Sequence, residues 1–384
     1  MVDNNNRMKI GVLFGGRSGE HEVSLNSARS VLRALNSHKY DVVQIGITRE
    51  GTWLVGENLL AQMMGNNYGE KLQKMTPVTI LPDPNQRGLY AIHSAPIPVL
   101  EHLTDLDVIF PVLHGTFGED GTLQGLLEMA GVAYVGAGVL GSAAGMDKGL
   151  FKDIMRANDI PILDWMLILR SELEHDAELV VKRVEEQLAY PVFIKPANLG
   201  SSVGITKCKN RADLVEGLFE AAQYDRRLVV EKGIEAREIE VSVLGNDDPR
   251  VSVPGEVIPS REFYSYEAKY IDNTSNLIIP APLPKETTRW IQDLAVRAYK
   301  AIDCAGMARV DFLLAKDAPI HRQQEGLYLN ELNTIPGFTD ISMYSKLWEA
   351  SGLSYPELID RLIDLAIERR KVREATRHDY RKVD

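Results

Sequence analysis

The chain has 384 residues, enough for two or three domains with substantial cores, and its 45% hydrophobic and 25% charged content excludes disordered and fibrous classes. A net charge of -11 argues against nucleic acid or an anionic membrane as the main partner. With two cysteines, no apolar run of about 20 residues and the polar start MVDNNNR, the sequence predicts a soluble cytoplasmic protein.

Strand-like and helix-like segments alternate through the first part of the chain. The apolar run MKIGVLFGG ends in paired glycines and predicts a buried parallel strand, and a helical pattern follows it. Further strands are predicted at 40–48 and 107–115, and the amphipathic segment LQGLLEMAG follows the second. This alternation predicts a doubly wound α/β domain over residues 8–141 after a flexible N-terminus at 1–7, with the stretch near 55–100 as an insertion.

A second unit is predicted over residues 142–235. It opens with a single helix over SAAGMDKGLFKDIMRAND (142–159). Strands are expected at 191–196, 204–208 and 227–234, where they surround a glycine-rich loop and an acidic amphipathic segment.

A third unit is predicted over residues 236–370. It begins with the strand REIEVSVLG and ends with a helix near 355–370. The aromatic, polar and irregular segment at 259–276 has the composition of a lid. The charged run at 371–384 predicts a solvated or frayed helix end.

The stretch from Gly306 to Gly337 carries the most specific chemistry. Side chains alternate along a strand, so Arg309 and Asp311 point one way in ARVDFLL, and Glu331 and Asn333 point together in LYLNELN. If the two strands pair, three oxygen ligands converge beside a guanidinium. Such hard oxygen ligands suit Mg²⁺ held partly by substrate phosphates. The alternative is a hairpin with a solvated polar face.

A second motif predicts a phosphate site. Lys195 ends a predicted strand and precedes the glycine-rich loop Gly200–Gly204, whose backbone N–H groups can approach phosphate oxygens. An ordinary hairpin turn is the alternative, and Lys148 in MDKGLFK, taken alone, is a solvated helix residue. The run Glu231–Ile234 can supply a hinge for a purine with Glu238 within reach of a ribose, or it is a charged hairpin.

The run Gly136–Gly141 satisfies GxGxxG, the pattern of dinucleotide-binding loops. A dinucleotide site would place this loop after the first strand, with an acidic residue at a strand end about 20 positions on. Here the run closes the first domain, and Asp159 precedes Pro161 in a loop. The position of this run in the chain therefore argues against nicotinamide binding.

Taken together, these motifs resemble the ATP-grasp ligases and, within them, the longer form of the D-alanine–D-alanine ligase family. Their order and spacing match the family over about residues 8–365. The segments that carry the resemblance are GGRSGEHEVSLNS (15–27), PVLHGTFGEDGTLQG (111–125), MDK (146–148), KPANLGSSVG (195–204), EKGIEAREIEV (231–241), EAKY (267–270), ARVDF (308–312) and NELNTIPGFT (330–339).

The resemblance implies an α/β ATP-grasp fold of three domains, with the nucleotide between the central and C-terminal ones, and it implies roles for individual residues. The implied ligands of two Mg²⁺ ions, or of Mn²⁺, are Asp311, Glu331 and Asn333. The residues implied to bind ATP are Lys148, Lys195, Ser202, Glu231, Lys232, Ile234, Glu238 and Lys269. Those implied to bind the first D-alanine are Glu20, His114, Ser201 and Tyr270. Those implied to receive the second are Arg309, Gly337, Ser342 and Met343.

The implied reaction makes D-alanyl-D-alanine for peptidoglycan, and hence for cell wall biogenesis and cell shape. ATP would phosphorylate the carboxylate of the first D-alanine, and the amine of the second would attack the acylphosphate while Arg309 and a backbone N–H meet the oxyanion. We also expect a homodimer.

Three alternatives remain. Sister ligases join D-alanine to D-lactate or D-serine, and members that make the lactate ester often carry histidine in place of Tyr270, so EAKY favours the dipeptide. A nicotinamide-dependent oxidoreductase is a rival from another class. A non-catalytic nucleotide-binding module is a third, and the complete metal trio with Arg309 argues against it.

Overall fold

A computed structural model describes residues 7–65, 72–94, 96–200, 203–258, 276–318 and 325–377. Within these ranges the strands form three sheets of eight, four and six strands. None of the helices in the same ranges combines the length and apolar composition needed to cross a membrane.

The first sheet has the strand order β6-β5-β4-β3-β2-β1-β7-β8. Its strands are β1 Met8–Gly15, β2 Tyr40–Ile47, β3 Trp53–Val55, β4 Thr76–Thr79, β5 Leu89–His93, β6 Val99–Thr104, β7 Val108–Pro111 and β8 Ala133–Tyr134. Its helices are α1 His21–Ala34, α2 Leu59–Met63 and α3 Thr122–Met129. Strand β1 pairs in parallel with β2 and β7, as predicted from its apolar run. The insertion near 55–100 contributes β4 and β5, which continue the same sheet in antiparallel pairing.

The second sheet is antiparallel, in the order β11-β10-β12-β9. Its strands are β9 Trp165–Leu169, β10 Val192–Pro196, β11 Thr206–Cys208 and β12 Arg227–Lys232. The helices of this part of the chain are α4 Val139–Met146, α5 Lys148–Ala157, α6 Arg170–His175, α7 Ala177–Gln187 and α8 Arg211–Tyr224.

The prediction of one helix over 142–159 is wrong. Asp147 separates α4 from α5 in an extended conformation, and its carboxylate accepts a hydrogen bond from the N–H of Leu150. Aspartate is favoured at this position because its oxygen satisfies an N–H that the first turn of a helix leaves unpaired. The break fixes Lys148 at the start of α5.

The third sheet has the order β16-β15-β13-β17-β18, with β14 paired to β13, and its strands are antiparallel. Its strands are β13 Ala236–Gly245, β14 Arg250–Val251, β15 Gly255–Ile258, β16 Asn276–Ile278, β17 Gly306–Ala315 and β18 Leu327–Asn333. The helices that follow or cover it are α9 Lys285–Ala301, α10 Met343–Ala350 and α11 Tyr355–Glu374.

Helix α11 returns to the first sheet. Its buried residues Leu358 and Leu362 belong to the same hydrophobic cluster as Ile10 and Val12 of β1. The guanidinium of Arg369 lies 4.3 Å from the ring centroid of Tyr134 and donates to the carbonyl oxygen of that residue. The N-terminal and C-terminal parts therefore share a core, and the domain boundaries at 141/142, 235/236 and 370/371 stay predictions.

The GxGxxG run lies at this junction. A Cβ on Gly306 would come within 3.0 Å of the backbone nitrogen of Gly136, and a Cβ on Gly141 would come within 3.0 Å of the carbonyl oxygen of Asp303. Close backbone packing therefore explains glycine at these positions.

Candidate active site

Two strands of the third sheet carry the predicted acidic pair. Strands β17 and β18 place Asp311 opposite Glu331 and Arg309 opposite Asn333, which confirms the predicted strand pairing. The guanidinium of Arg309 donates to both oxygens of Asp311, each over 2.7 Å. It also lies 3.1 Å from a carboxylate oxygen of Glu240 on β13. Sequence reasoning missed Glu240, which neighbours Asp311 across the sheet.

The donor set of this strand pair fits a hard divalent cation. It offers two carboxylates and the amide of Asn333, whose oxygen also accepts a hydrogen bond from the N–H of Ile335 over 3.0 Å. Oxygen donors without thiolate or imidazole suit Mg²⁺, which retains several ligands from water or substrate. In the described part of the chain no group of three or more His, Cys, Asp or Glu side chains is placed to bind a metal. A metal here would therefore depend on the amide and on phosphate oxygens.

Three lysines lie around Glu231 and the neighbouring loop. Lys195 on β10 donates to Glu231 over 2.6 Å and to the side-chain oxygen of Asn330 over 3.2 Å. Lys152 on α5 pairs with the other carboxylate oxygen of Glu231. Lys148, one turn earlier on α5, donates to the carbonyl oxygen of Leu199 over 2.7 Å. Lys195 and Glu231 are therefore in direct contact, Lys148 lies one helical turn from Lys152, and Lys152 is a member of the cluster that sequence reasoning missed.

Burial and pairing set the charges of this cluster. Burial opposes the charged form of Lys195, yet attraction by Glu231 raises the pKa of Lys195 above its ordinary value. Burial disfavours the Glu231 carboxylate, but Lys152 and Lys195 lower its pKa to about 2. Burial lowers the pKa of Lys148, with the charge of Glu331 acting in the opposite direction. Since Lys195 donates to Asn330, the residue before Glu331 on β18, the lysine cluster and the acidic strand pair are adjacent.

The predicted purine hinge lies between β12 and β13. The N–H of Gly233 donates to the carbonyl oxygen of Pro191 over 2.8 Å, and a Cβ on Gly233 would lie 2.8 Å from the same oxygen. Lys232 is exposed and Ile234 is half-buried. Since the Glu231 side chain faces the two lysines, its part in binding a purine would come from its backbone.

Glu20, at the start of α1, meets the glycine-rich loop of the central part. A Cβ on either Gly115 or Gly200 would lie 2.6 Å from a carboxylate oxygen of Glu20. Both positions therefore need glycine for the carboxylate to occupy this place. The contact joins the N-terminal part of the site to the predicted phosphate loop.

His114 is buried beside Glu20. Its Nδ1 donates to the carbonyl oxygen of Ile335 over 2.9 Å, and its Nε2 lies 3.1 Å from the hydroxyl of Ser27. Burial opposes the charged form of His114, but Glu119 and Glu20 raise the pKa of His114 above its ordinary value. Burial raises the pKa of Glu119 to about 7, with His114 acting in the opposite direction. Sequence reasoning missed both Glu119 and Ser27.

The predicted acceptor-side residues lie at the start of α10. The hydroxyl of Ser342 accepts the N–H of Thr339 over 3.0 Å and lies 2.7 Å from its hydroxyl. A Cβ on Gly337 would lie 3.5 Å from the Ser342 hydroxyl oxygen. The Met343 side chain is 93% buried and packs with Val257 and Leu347, so only its backbone can take part in binding.

Some predicted residues lie outside the described ranges. They are Ser201, Ser202, Lys269, Tyr270 and all of the predicted lid except Asn276.

Comparison with known proteins shows that the three sheets form an ATP-grasp fold and that the chain is in the class of ATP-dependent ligases. A family model described as "D-ala D-ala ligase N-terminus" matches residues 9–137, and one described as "D-ala D-ala ligase C-terminus" matches residues 154–364. The chain belongs to the D-alanine–D-alanine ligase family.

Curated relatives and solved structures agree with this assignment. The chain is 48% identical to the D-alanine–D-alanine ligase of Natranaerobius thermophilus over 97% of its own length and 99% of the relative. It is 50% identical to that of Heliobacterium modesticaldum over 96% and 98%. The structure is similar to that of the ligase from Coxiella burnetii, with a TM-score of 0.79, 37% identity and 96% coverage of both chains. It is also similar to the VanG D-Ala:D-Ser ligase of Enterococcus faecalis, with a TM-score of 0.81, 35% identity and coverage of 94% and 99%.

Proposed function

We propose that this chain joins two D-alanine molecules into D-alanyl-D-alanine, with conversion of ATP to ADP and phosphate, for peptidoglycan synthesis, and that the site described above performs the reaction. The family supplies the reaction. The observation that supports its assignment to these residues is the hydrogen bond from Lys195 to Asn330, which precedes Glu331 on β18 and brings the lysines next to the strands that carry Arg309 and Asp311. We infer that the lysines, the acidic pair and the guanidinium act together on the phosphates of one bound ATP.

The nucleotide is proposed to lie between the second and third sheets. The backbone of the hinge at 231–234 would meet the adenine, and Glu238 on β13 would reach the ribose. Lys148 and Lys195 would bind the phosphates, since each is a point charge held in place by hydrogen bonds, Lys148 to Leu199 and Lys195 to Glu231 and Asn330. Lys232, Ser202 and Lys269 are assigned to ATP from the family resemblance alone.

Asp311, Glu331 and Asn333 would hold the Mg²⁺ ions. When bound, the ions neutralise charge that develops on the transferring phosphoryl group. Arg309 would keep Asp311 oriented through its two hydrogen bonds, because a carboxylate oxygen has a second lone pair for another partner.

The first D-alanine is proposed to lie between Glu20 and His114. The Glu20 carboxylate would bind its ammonium, with Ser201 and Tyr270 completing the hydrogen bonds, and His114, whose pKa Glu119 and Glu20 raise against the effect of burial, would meet its carboxylate. That carboxylate is a poor electrophile until one of its oxygens attacks the γ-phosphorus of ATP and ADP leaves.

The second D-alanine is proposed to bind at the start of α10. Its carboxylate would meet Ser342 and the backbone N–H of Met343 at the helix N-terminus. Its amine attacks the acyl carbon, and the oxyanion is met by Arg309 and the N–H of Gly337. The carbon–oxygen bond to the phosphoryl group then breaks, and phosphate leaves with that oxygen.

The identity of the second substrate needs its own test, because the VanG structure belongs to a D-Ala:D-Ser ligase and matches nearly the whole chain. The protein is mixed with ATP, Mg²⁺ and equal D-alanine, D-serine and D-lactate, and the products are separated by mass spectrometry. We expect D-alanyl-D-alanine as the main product, with one phosphate released per dipeptide. A predominance of D-alanyl-D-serine or D-alanyl-D-lactate would reassign the second substrate, and phosphate release without any product would refute ligation.

Further properties are proposed from the resemblance. They are two Mg²⁺ ions per site with Mn²⁺ as a substitute, a homodimer, and a cytoplasmic location with no nucleic-acid or membrane partner. Light scattering coupled to size exclusion tests the dimer, since a monomer at micromolar concentration would contradict it. Removal of divalent cations with a chelator should abolish dipeptide formation, and addition of excess Mg²⁺ or Mn²⁺ should restore it.

A further inference from the structure

We propose that Lys152 is a positioning residue for ATP. It holds one oxygen of Glu231, so that Lys195 keeps its position and the cluster of Lys152, Lys195 and Glu231 keeps a net positive charge that attracts the phosphates. This inference rests on the proposed function, because it concerns the same nucleotide site. The Lys152 side chain is 1% exposed, whereas that of Lys195 is 13% exposed. Lys195 is therefore the member of the pair that faces the site, and Lys152 acts from behind it.

The geometry of the cluster supports this division of roles. Lys152 takes Oε1 of Glu231, and Lys195 lies 2.6 Å from Oε2 of the same carboxylate. Lys195 also donates to Asn330, so two of the three N–H groups of the Lys195 ammonium are in use. We assign the third N–H to a phosphate oxygen.

Charge balance gives Lys152 its effect. Lys152, Lys195 and Glu231 by themselves carry a net charge of +1 in a buried place, where screening by salt and water is weak. Burial lowers the pKa of Lys152, while the charges of Glu231 and Glu331 favour the ammonium form of both lysines. Without Lys152, Glu231 and Lys195 would form a neutral pair. The attraction for the phosphates of ATP would fall although no atom in contact with ATP had changed.

Helix α5 also links two parts of the site through this residue. Lys148 and Lys152 are four positions apart and lie on one face of the helix. Lys148 holds Leu199, the residue just before the glycine-rich loop, and Lys152 holds the end of β12 at Glu231. The phosphate loop and the purine hinge are therefore tied to the same helix.

The test compares nucleotides with and without phosphates. Lys152→Met, Lys152→Arg and the double variant Lys152→Met/Glu231→Gln are titrated with ATP, ADP and adenosine in a calorimeter. We expect Lys152→Met to lower the binding affinity for ATP and ADP by at least about tenfold and the affinity for adenosine by less than about twofold. Lys152→Arg should keep the ratio of ATP to adenosine affinity. The double variant should recover at least about threefold in ATP affinity over Lys152→Met, because glutamine no longer neutralises Lys195.

Other outcomes distinguish a failure of the Lys152 inference from a failure of the proposed function. Equal losses for ATP and adenosine, or a double variant no better than Lys152→Met, would show that Lys152 only fills space and would overturn the inference. Lys182→Met removes an exposed lysine, 70% accessible, and controls for general loss of positive charge. Wild-type protein that binds no ATP would refute the proposed function itself. Wild-type binding with an unchanged Lys152→Met variant would refute the Lys152 inference alone.

Discussion

Replacement of Gly200 by alanine should displace the carboxylate proposed to bind the first D-alanine. The added Cβ would lie 2.6 Å from Oε2 of Glu20, whereas ordinary contact begins at 3.4 Å. The carboxylate must therefore move by about 0.8 Å. Gly200 has no left-handed backbone angle, so alanine itself adds no backbone strain there.

A displacement of this size has a large catalytic cost. Misplacement of a reacting group by about 1 Å can slow a reaction about 10²-fold, because the bound substrate leaves its productive orientation. We therefore expect kcat/KM for D-alanine to fall about 10- to 100-fold, or about 1.4 to 2.7 kcal/mol of transition-state stabilisation. ATP affinity should change by less than about twofold.

The assay varies D-alanine at saturating ATP and measures ATP binding separately by calorimetry. Gly125→Ala serves as the matched control, because a Cβ at that helical position meets no atom within 4 Å. If Gly200→Ala keeps kcat/KM within about twofold of wild type, the contact between Gly200 and Glu20 does not matter for substrate. A loss of ATP affinity as large as the loss of kcat/KM would assign the effect to the phosphate loop instead.

Four more substitutions test the metal, phosphate and hinge residues. Glu331→Gln or Asp311→Asn should lower turnover at least about 100-fold with a retained thermal unfolding profile, and activity within a few-fold of wild type would contradict the metal site. Lys195→Ala should weaken ATP binding, and an unchanged ATP titration with unchanged turnover would contradict the role of Lys195 in phosphate binding. The folded-state pKa of Glu231 is about 2, below its ordinary value of 4.5, so its ionisation stabilises the fold above pH 4.5 and this contribution is lost as pH falls toward 2. The difference in unfolding free energy between wild type and Glu231→Gln should shrink by about 3 kcal/mol across that window, and a constant difference in denaturant titrations would disprove the coupling.

Local patterns were enough to predict the acidic strand pair. The alternation of ARVDFLL and LYLNELN placed Arg309, Asp311, Glu331 and Asn333 on one face, and the observed pairing of β17 with β18 has them so. The strand-end Lys195 was equally visible. Such features are predictable because period-2 alternation depends only on the backbone of the strand itself.

Contacts between distant segments were not predictable. Lys152 and Glu231 are 79 positions apart, and His114 meets the carbonyl oxygen of Ile335 across 221 positions. From the sequence alone, Lys152 has the pattern of a solvated helix residue, because nothing local shows that Glu231 packs against it. Met343 shows a related limit, since a motif match does not distinguish a binding backbone from a buried side chain.

The break between α4 and α5 was missed for a different reason. Asp147 lies within an apolar pattern that is continuous over 142–159, and its preference for the N-cap is local. An aspartate three residues before Leu150 was a signal for a new helix start. The pattern of apolar residues outweighed it in the prediction.

The most direct test of the central claim follows an oxygen atom. D-alanine labelled with ¹⁸O at both carboxylate oxygens is incubated with the protein, ATP and Mg²⁺, and the released phosphate and dipeptide are examined by mass spectrometry. Activation through an acylphosphate predicts one ¹⁸O in each phosphate released, and a dipeptide that has lost a single ¹⁸O from its amide carbonyl residue. Dipeptide formed with unlabelled phosphate, or no dipeptide at all, would contradict the account.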